Sequence, residues 1–287
     1  MSEHIFKSRL GPHLETFIAQ KQSVGFPYQS SARILYHFDD MVFEYFPDIE
    51  SLTKEIADKW IHYKPNEHPN GLLRRITPIR QFGKYLHAIG HAAYILPGNI
   101  PNKQLQYEAH IFTTKELQAF FHAIDSCPVS PFSPTRCYVI PVLFRLLYCC
   151  GLRSSEARLL NIADVNLTNG QILIRESKGW KARILFMSPD LLEVCREYNQ
   201  NIEEIFPMRQ AFFPNINGEF YNKSTIDHWF HEFWDNLPEA QLVTGNSPRV
   251  HDLRHTYAVH RLNSWVRENE NVTGLYPYLS EYMGHSH

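Results

Sequence analysis

The sequence predicts a mainly α-helical protein with one small β-hairpin, divided into an N-terminal four-helix domain and a mixed α+β domain. Three observations carry this expectation. The chain has 287 residues, and single hydrophobic cores stop growing near ~250 to 300 residues, so two domains are the natural division. Apolar residues recur at helical spacing along most of the chain. One stretch alone, QILIRES and ARILFMS flanking KGWK, reads as paired strands. With 44% hydrophobic and 20% charged residues, the composition is that of a globular protein and excludes a disordered chain or a fibre.

From the N-terminus, helices are expected over approximately 4–23, 29–46, 51–62 and 70–90, with stops at Pro27, Pro47 and Pro65. Pro97, Gly98 and Pro101 then interrupt the pattern, which places a linker at 98–111 between a domain of residues 1–97 and a second of residues 112–287. Thr113 with Glu116 forms a capping box that opens the helix KELQAFFHAI. A further helix around 136–149 ends at Gly151, and Ser154 or Ser155 can N-cap the next. The hairpin follows, with Gly179 at its turn, and then more helices, of which FYNKSTIDHWFHEFWDNL is the clearest.

Five cysteines without a CxxC pair make neither a disulfide framework nor a zinc knuckle, and Cys149 and Cys150 read as core. The start MSEHIFKSRLG has no apolar signal region, and YVIPVLFRLLYCC is too short to span a bilayer. A cytoplasmic protein with no membrane partner is therefore expected, in which the N-x-S/T triplets at Asn166, Asn222 and Asn271 carry no glycan. The net charge of −2 counts at first against a nucleic-acid partner. The halves differ, however: residues 1–106 hold 12 Lys and Arg against 10 Asp and Glu, and residues 107–287 hold 16 against 20. Any DNA surface must be a local patch.

Four short pieces carry possible chemistry. In CCGLRSSEARLL, Arg153 sits at a helix N-terminus, where free N–H groups and the dipole favour an anion and a guanidinium adds a planar fork for two phosphate oxygens. In HDLRHTYAVHRL, His251 and Arg254 share one helical face. The spacing of His251 and His255 also suits a metal ion, but no carboxylate or third ligand accompanies it, and an anionic oxygen needing a proton partner fits the pair better. Lys178, with Lys181 nearby, lies at the hairpin tip, the place of a solvated charge or of an ammonium delivered over a groove. In MGHSH, His285 closes a helix. Taken singly, each piece also fits an ordinary surface residue.

In this order, an arginine box, a hairpin lysine, HxxR and Gly-His, the pieces become specific together, and the sequence resembles the tyrosine recombinase (phage-integrase-like) family. GLRSSEARLL is similar to its first arginine box, ESKGWKARILFMS to its lysine segment, HDLRHTYA to its HxxR box and YMGHSH to its last histidine box. The four-helix region is similar to the family's core-binding domain, so the resemblance covers nearly all the chain. It implies cutting and rejoining of double-stranded DNA, by a dimer or tetramer on the DNA, through a 3′-phosphotyrosine and without metal or other cofactor. Arg153 and Arg254 would grip the non-bridging oxygens, Lys178 would protonate the departing 5′-oxygen, His251 would manage the nucleophile's proton, and His285 would bond a phosphate oxygen, with Glu156 supporting the first box.

The resemblance also implies a nucleophilic tyrosine shortly after the Gly-His box, whereas the chain stops two residues after His285. Tyr257, Tyr276, Tyr278 and Tyr282 all precede the box. The expectation is a chain cut before its nucleophile, able to bind DNA but not to cleave it. In LLRRITPIRQFGKYLHAIG, Arg80 and Lys84 share a helical face with Arg74 and Arg75 about a turn earlier. That spacing fits a solvated basic face as well as a phosphate-contacting one, and the resemblance favours DNA. Phosphate contacts of this kind position a protein without reading its target sequence. A non-enzymatic DNA-binding regulator and a type IB topoisomerase are the competing classes, the latter fitting less well with so small a helical first domain.

Overall fold

The computed structural model describes residues 5–25, 27–100, 107–175, 182–243 and 245–284. The chain forms two compact units, residues 1–106 and 107–287.

The first unit consists of α1 (Gly11–Ser23), α2 (Gln29–Tyr45), α3 (Lys54–His62) and α4 (Pro69–Ala88). Their apolar stripes meet in one core that includes Phe17, Leu35, Phe38, Trp60, Ile79 and Phe82. The first helix begins at Gly11, later than its expected start. Residues before it lie across α2, where the fully buried Asp39 carboxylate accepts from the amides of Lys7 (2.7 Å) and Ser8 (3.2 Å). Those amides are satisfied without a helix, and a buried carboxylate requires such donors. Thr53 N-caps α3 by accepting from the Ile56 amide, which sets its start three residues after the expected one.

The second unit is built from α5 (Thr114–Asp125), α6 (Arg136–Cys149), α7 (Ser154–Arg158), α8 (Pro189–Ile205), α9 (Lys223–Trp234), α10 (Val250–Arg267) and α11 (Val272–Tyr282). A three-stranded antiparallel sheet, β1 (Val165–Asn166), β2 (Gln171–Ile174) and β3 (Arg183–Phe186), pairs in sequence order. The Thr113–Glu116 capping box is present at the head of α5. The hairpin strands pair from Gln171 with Phe186 to Ile174 with Arg183, and its expected turn, with Gly179, Lys178 and Lys181, lies outside the described residues. In the core Phe112 meets Phe230 and Trp234 edge to face, Phe120 meets Phe144 likewise, and Phe120 tilts against Phe230.

The chain around the linker is more tied down than composition alone shows. Leu96 belongs to the core of the first unit and Ile100 packs on it. At the other end, the Tyr107 hydroxyl donates to Asp252 (2.5 Å) and the Phe112 amide to Thr256 (3.0 Å), joining residues 107–112 to α10. Among the described residues no helix is long and apolar enough to cross a membrane.

Candidate functional site: an arginine cluster on one buried carboxylate

The site is assembled where α6 ends. Gly151 takes a left-handed conformation (φ 59°), and a Cβ there would lie 2.6 Å from the Tyr257 ring. Both facts demand glycine. The turn hands the chain to α7, whose N-cap is Arg153 itself, not the expected Ser154 or Ser155. Glu156 explains the difference: its Oε2 accepts from the Arg153 amide (2.8 Å), so a carboxylate three residues ahead does the capping and the serines are left within the helix.

Glu156 is also the centre of a charge cluster. Its side chain is 2% exposed, and it accepts from Arg153 Nη1 at 2.7 Å and from both Nη atoms of Arg183 at 2.9 and 2.8 Å, with Arg254 Nη1 3.8 Å away. Burial raises its pKa, but the bonds from Arg183 and Arg153 outweigh burial and hold it below the usual carboxylate range. Three guanidinium groups on one carboxylate leave two positive charges uncompensated by it, a standing demand for an anion.

Arg254, on α10, is 2% exposed. It donates to the Gly151 carbonyl (2.5 Å) and to the Met283 carbonyl, while Arg153 Nη2 reaches the Gly284 carbonyl (2.6 Å) and Arg183 Nε the Tyr282 carbonyl (2.8 Å). The C-terminal carbonyls of α11, which have no partner within the helix, thus find one in each of the three arginines. Burial first, and then Arg153, pulls Arg254 down to about 10, so it remains charged at neutral pH.

His251 lies in the first turn of α10, exposed at its edge, with its ring 4.9 Å from and edge-on to that of His255. Desolvation of the ring, followed by the charges of His255 and Arg254, lowers its pKa to about 4. At neutral pH it is an uncharged proton acceptor. His251 and Arg153 line one groove of about 630 Å³, together with Arg158, Lys223, His231 and Arg249. A proton titration should therefore show His251 neutral down to about pH 5 in the free protein, with its pKa raised once an anion enters the groove. Since the folded pKa is depressed, the unfolded chain binds more protons between about pH 4 and 6.5, and stability tied to His251 is lost as pH falls through that window. An unshifted imidazole near pH 6.5 would contradict the electrostatics.

The other expected site residues fall into three groups. Lys178, Lys181 and His285 lie outside the described residues. Arg74 and Lys84 are exposed on α4. Arg75 and Arg80 require correction. Arg75 is buried, with Nε and Nη2 on Glu67 at 2.9 and 2.8 Å and its fork capping the carbonyls of Trp60 and Ile61. Arg80 donates to the carbonyls of Leu96, Pro97 and Ile100. Both hold the first unit together, Arg75 as a buried guanidinium that must be paired where it lies and the half-buried Arg80 through its three carbonyls. Beside them lies a groove of about 520 Å³ lined by Arg33, His37, Lys64 and Arg74 together with the carboxylates of Asp40 and Glu67. The i, i+4 spacing of Arg33 and His37 was the sequence signal for it. Arg183 was also missed. It stands next to the hairpin loop in the segment already singled out, and only its distance in sequence from Glu156 concealed it.

No group of three His, Cys, Asp or Glu side chains able to hold a metal ion stands among the described residues. Tyr257 and Tyr282 stack on each other at 5.8 Å, and burial raises both hydroxyls.

The chain is similar to known proteins in sequence and in fold. The protein y4rB of Sinorhizobium fredii, named as an integrase/recombinase, is 26% identical over 282 residues, covering 96% of this chain and 88% of its own. A XerH site-specific recombinase in a post-cleavage complex with its difH substrate superposes with a TM-score of 0.65 at 19% identity, over 96% of this chain and 77% of that one. A lambda integrase tetramer bound to a Holliday junction gives 0.63 at 16% identity, over 97% and 77%. Residues 110–270, which run from the chain joined to α10 through the arginine cluster and the HxxR helix, match the phage integrase family, and the chain belongs to that family of tyrosine recombinases.

Proposed function

We propose that this chain binds double-stranded DNA at a recombination site and holds one scissile phosphodiester on Arg153 and Arg254, for strand exchange through a 3′-phosphotyrosine during movement of a phage, integrative element or conjugative transposon. The observation that carries this reading is that one buried carboxylate, Glu156, gathers Arg153, Arg183 and Arg254 beside the groove of His251. A guanidinium has five N–H donors. Arg254's bonds to described residues occupy one donor on each Nη, so the remaining Nη donors suit the non-bridging oxygens. In the transition state these oxygens gain charge, and donors already fixed in place stabilise that charge without reorganisation.

Neutral His251 accepts the proton of the attacking hydroxyl, Lys178 protonates the departing 5′-oxygen, and His285 bonds a phosphate oxygen. Arg74, Lys84 and Lys181 contact the duplex backbone, with Arg33, His37 and Lys64 added from the groove they line with Arg74. By analogy with the lambda integrase tetramer on its junction, the working assembly is a dimer or tetramer on DNA. A non-enzymatic regulator has no need for preorganised donors around one phosphate, and the three-arginine cluster favours the enzyme.

Fluorescence anisotropy on the element's end sequence, against scrambled duplex, tests the binding step. With 6–10 phosphate contacts, affinity should fall about 10³- to 10⁵-fold between 50 and 200 mM salt. Salt-independent binding would sink the reading. The chemical step is tested with added hydrogen peroxide. Its anion attacks phosphorus, the 5′-oxygen leaves and takes a proton, and the 3′-peroxyphosphate hydrolyses to a 3′-phosphate. The chain should promote this break at one position of the bound duplex.

A further inference from the structure

Arg183 lies within the lysine segment ESKGWKARILFMS, five residues after Lys178, and engages Nε and both Nη atoms in the cluster. Its side chain is 9% exposed. Both Nη atoms grip Glu156, one on each carboxylate oxygen, while Nε donates to the Tyr282 carbonyl at 2.8 Å. Three separate parts of the chain meet on this one guanidinium: the base of the lysine hairpin, where Arg183 pairs with Ile174, the first arginine box, and the last turn of α11.

We propose that Arg183 is a positioning residue, which fixes Glu156 so that its carboxylate aims the Arg153 fork, and which at the same time sets the end of α11 up to Gly284. The argument is geometric. Glu156 Oε1 is shared between Arg153 Nη1 and Arg183 Nη1, and Oε2 between the Arg153 amide and Arg183 Nη2. Without the second fork, the carboxylate can rotate about its terminal torsion, which is broad and imposes little preference, and Arg153 follows it. With it, both oxygens are held in one plane by a bidentate pair, the geometry that Arg provides and Lys does not. The Nε bond adds a second constraint. Arg153 donates to Gly284 two residues beyond Tyr282, so the turn between them is held from both sides.

The inference about catalysis rests on the recombinase reading, whereas the inference about Arg153 does not, and the two are tested separately. The first arm uses the 287-residue chain labelled with ¹⁵N-arginine. In the unaltered protein the Arg153 guanidinium signals should be dispersed and slow to exchange. In Arg183→Lys, which keeps the charge and loses the fork, they should move toward the averaged position of surface arginines. Arg183→Gln, which keeps donors without charge, is the second variant, and whichever unfolds cooperatively is read. Arg153 signals unmoved in a folded variant would overturn the proposal.

The second arm measures peroxide-driven cleavage. Arg183→Lys should bind duplex within about twofold of the unaltered chain, since Nε and both Nη atoms of Arg183 are already engaged by Glu156 and the Tyr282 carbonyl. Its cleavage rate at saturating DNA should fall about 10- to 100-fold, the scale of a small misplacement of a catalytic group. In an Arg153→Lys background the same change should cost little more, because Arg183 acts through Arg153. Full additivity of the two losses would overturn the route through Arg153. Should the unaltered chain cleave nothing, the recombinase reading fails while the first arm still decides what Arg183 does.

Discussion

Replacing Arg254 by alanine is expected to abolish peroxide-driven strand scission and also to weaken the fold, whereas Arg153→Ala should abolish scission with a smaller structural cost. Each removes one preorganised donor to the phosphate, a loss of ~2.7 to 4 kcal/mol of transition-state stabilisation, or roughly a hundred- to thousandfold in rate. The structural costs differ because the surroundings differ. The Arg254 side chain is 3% exposed and serves the carbonyls of Gly151 and Met283. An unsatisfied buried acceptor costs ~1 to 3 kcal/mol, and two are created at once, in the turn that carries Arg153 and at the end of α11. Arg153 is 20% exposed, and Glu156 keeps Arg183 when Arg153 is removed. Urea unfolding should therefore separate the two variants, while anisotropy finds duplex binding largely intact in both. Near-normal scission by either would remove that arginine from the site, and equal stability losses would contradict the burial argument.

The 287-residue chain is expected to form no covalent adduct with a nicked suicide substrate, even where anisotropy shows full binding. The described tyrosines are poorly prepared to attack phosphorus. Tyr257 lies under the Gly151 turn and stacks on Tyr282, and burial raises both hydroxyls. Tyr107 is pushed up to about 12 by burial and by its bond to Asp252. Tyr198 and Tyr221 are buried on the carbonyl of Phe212 and the hydroxyl of Thr135. Tyr276 and Tyr278 are 58% and 70% exposed on α11, with no base bonded to them among the described residues. Peroxide should release a 5′-hydroxyl from the same substrate, since it supplies the nucleophile and needs the site only to hold the phosphate. An adduct mapped to Tyr257, Tyr276, Tyr278 or Tyr282 would identify the nucleophile within the chain and overturn this expectation.

Much of the molecule is legible in the sequence, and for a local reason. Helix spans follow from apolar spacing over a few turns, and the Thr113–Glu116 box from residues three apart. The Gly151 stop and the 171–174 with 183–186 pairing follow from turn chemistry beside β-branched residues. The grouping of Arg153 with Glu156 and of His251 with Arg254 is also local, set by one helical repeat each.

What only the tertiary structure decided is where each charge is directed. On spacing alone Arg74, Arg75, Arg80 and Lys84 are a single basic face. Folding turns Arg75 inward to Glu67 and binds Arg80 to three carbonyls of residues 96–100. Arg183 reads as an ordinary strand residue until the hairpin brings it to Glu156, 27 residues away, and Arg254 finds its acceptor on Gly151 across 103 residues. Periodicity tells which side of an element is apolar, because the driving force there is burial of area and has no direction. A buried guanidinium must instead meet specific oxygens at hydrogen-bond distance, and which oxygens come within reach is fixed only when distant segments pack.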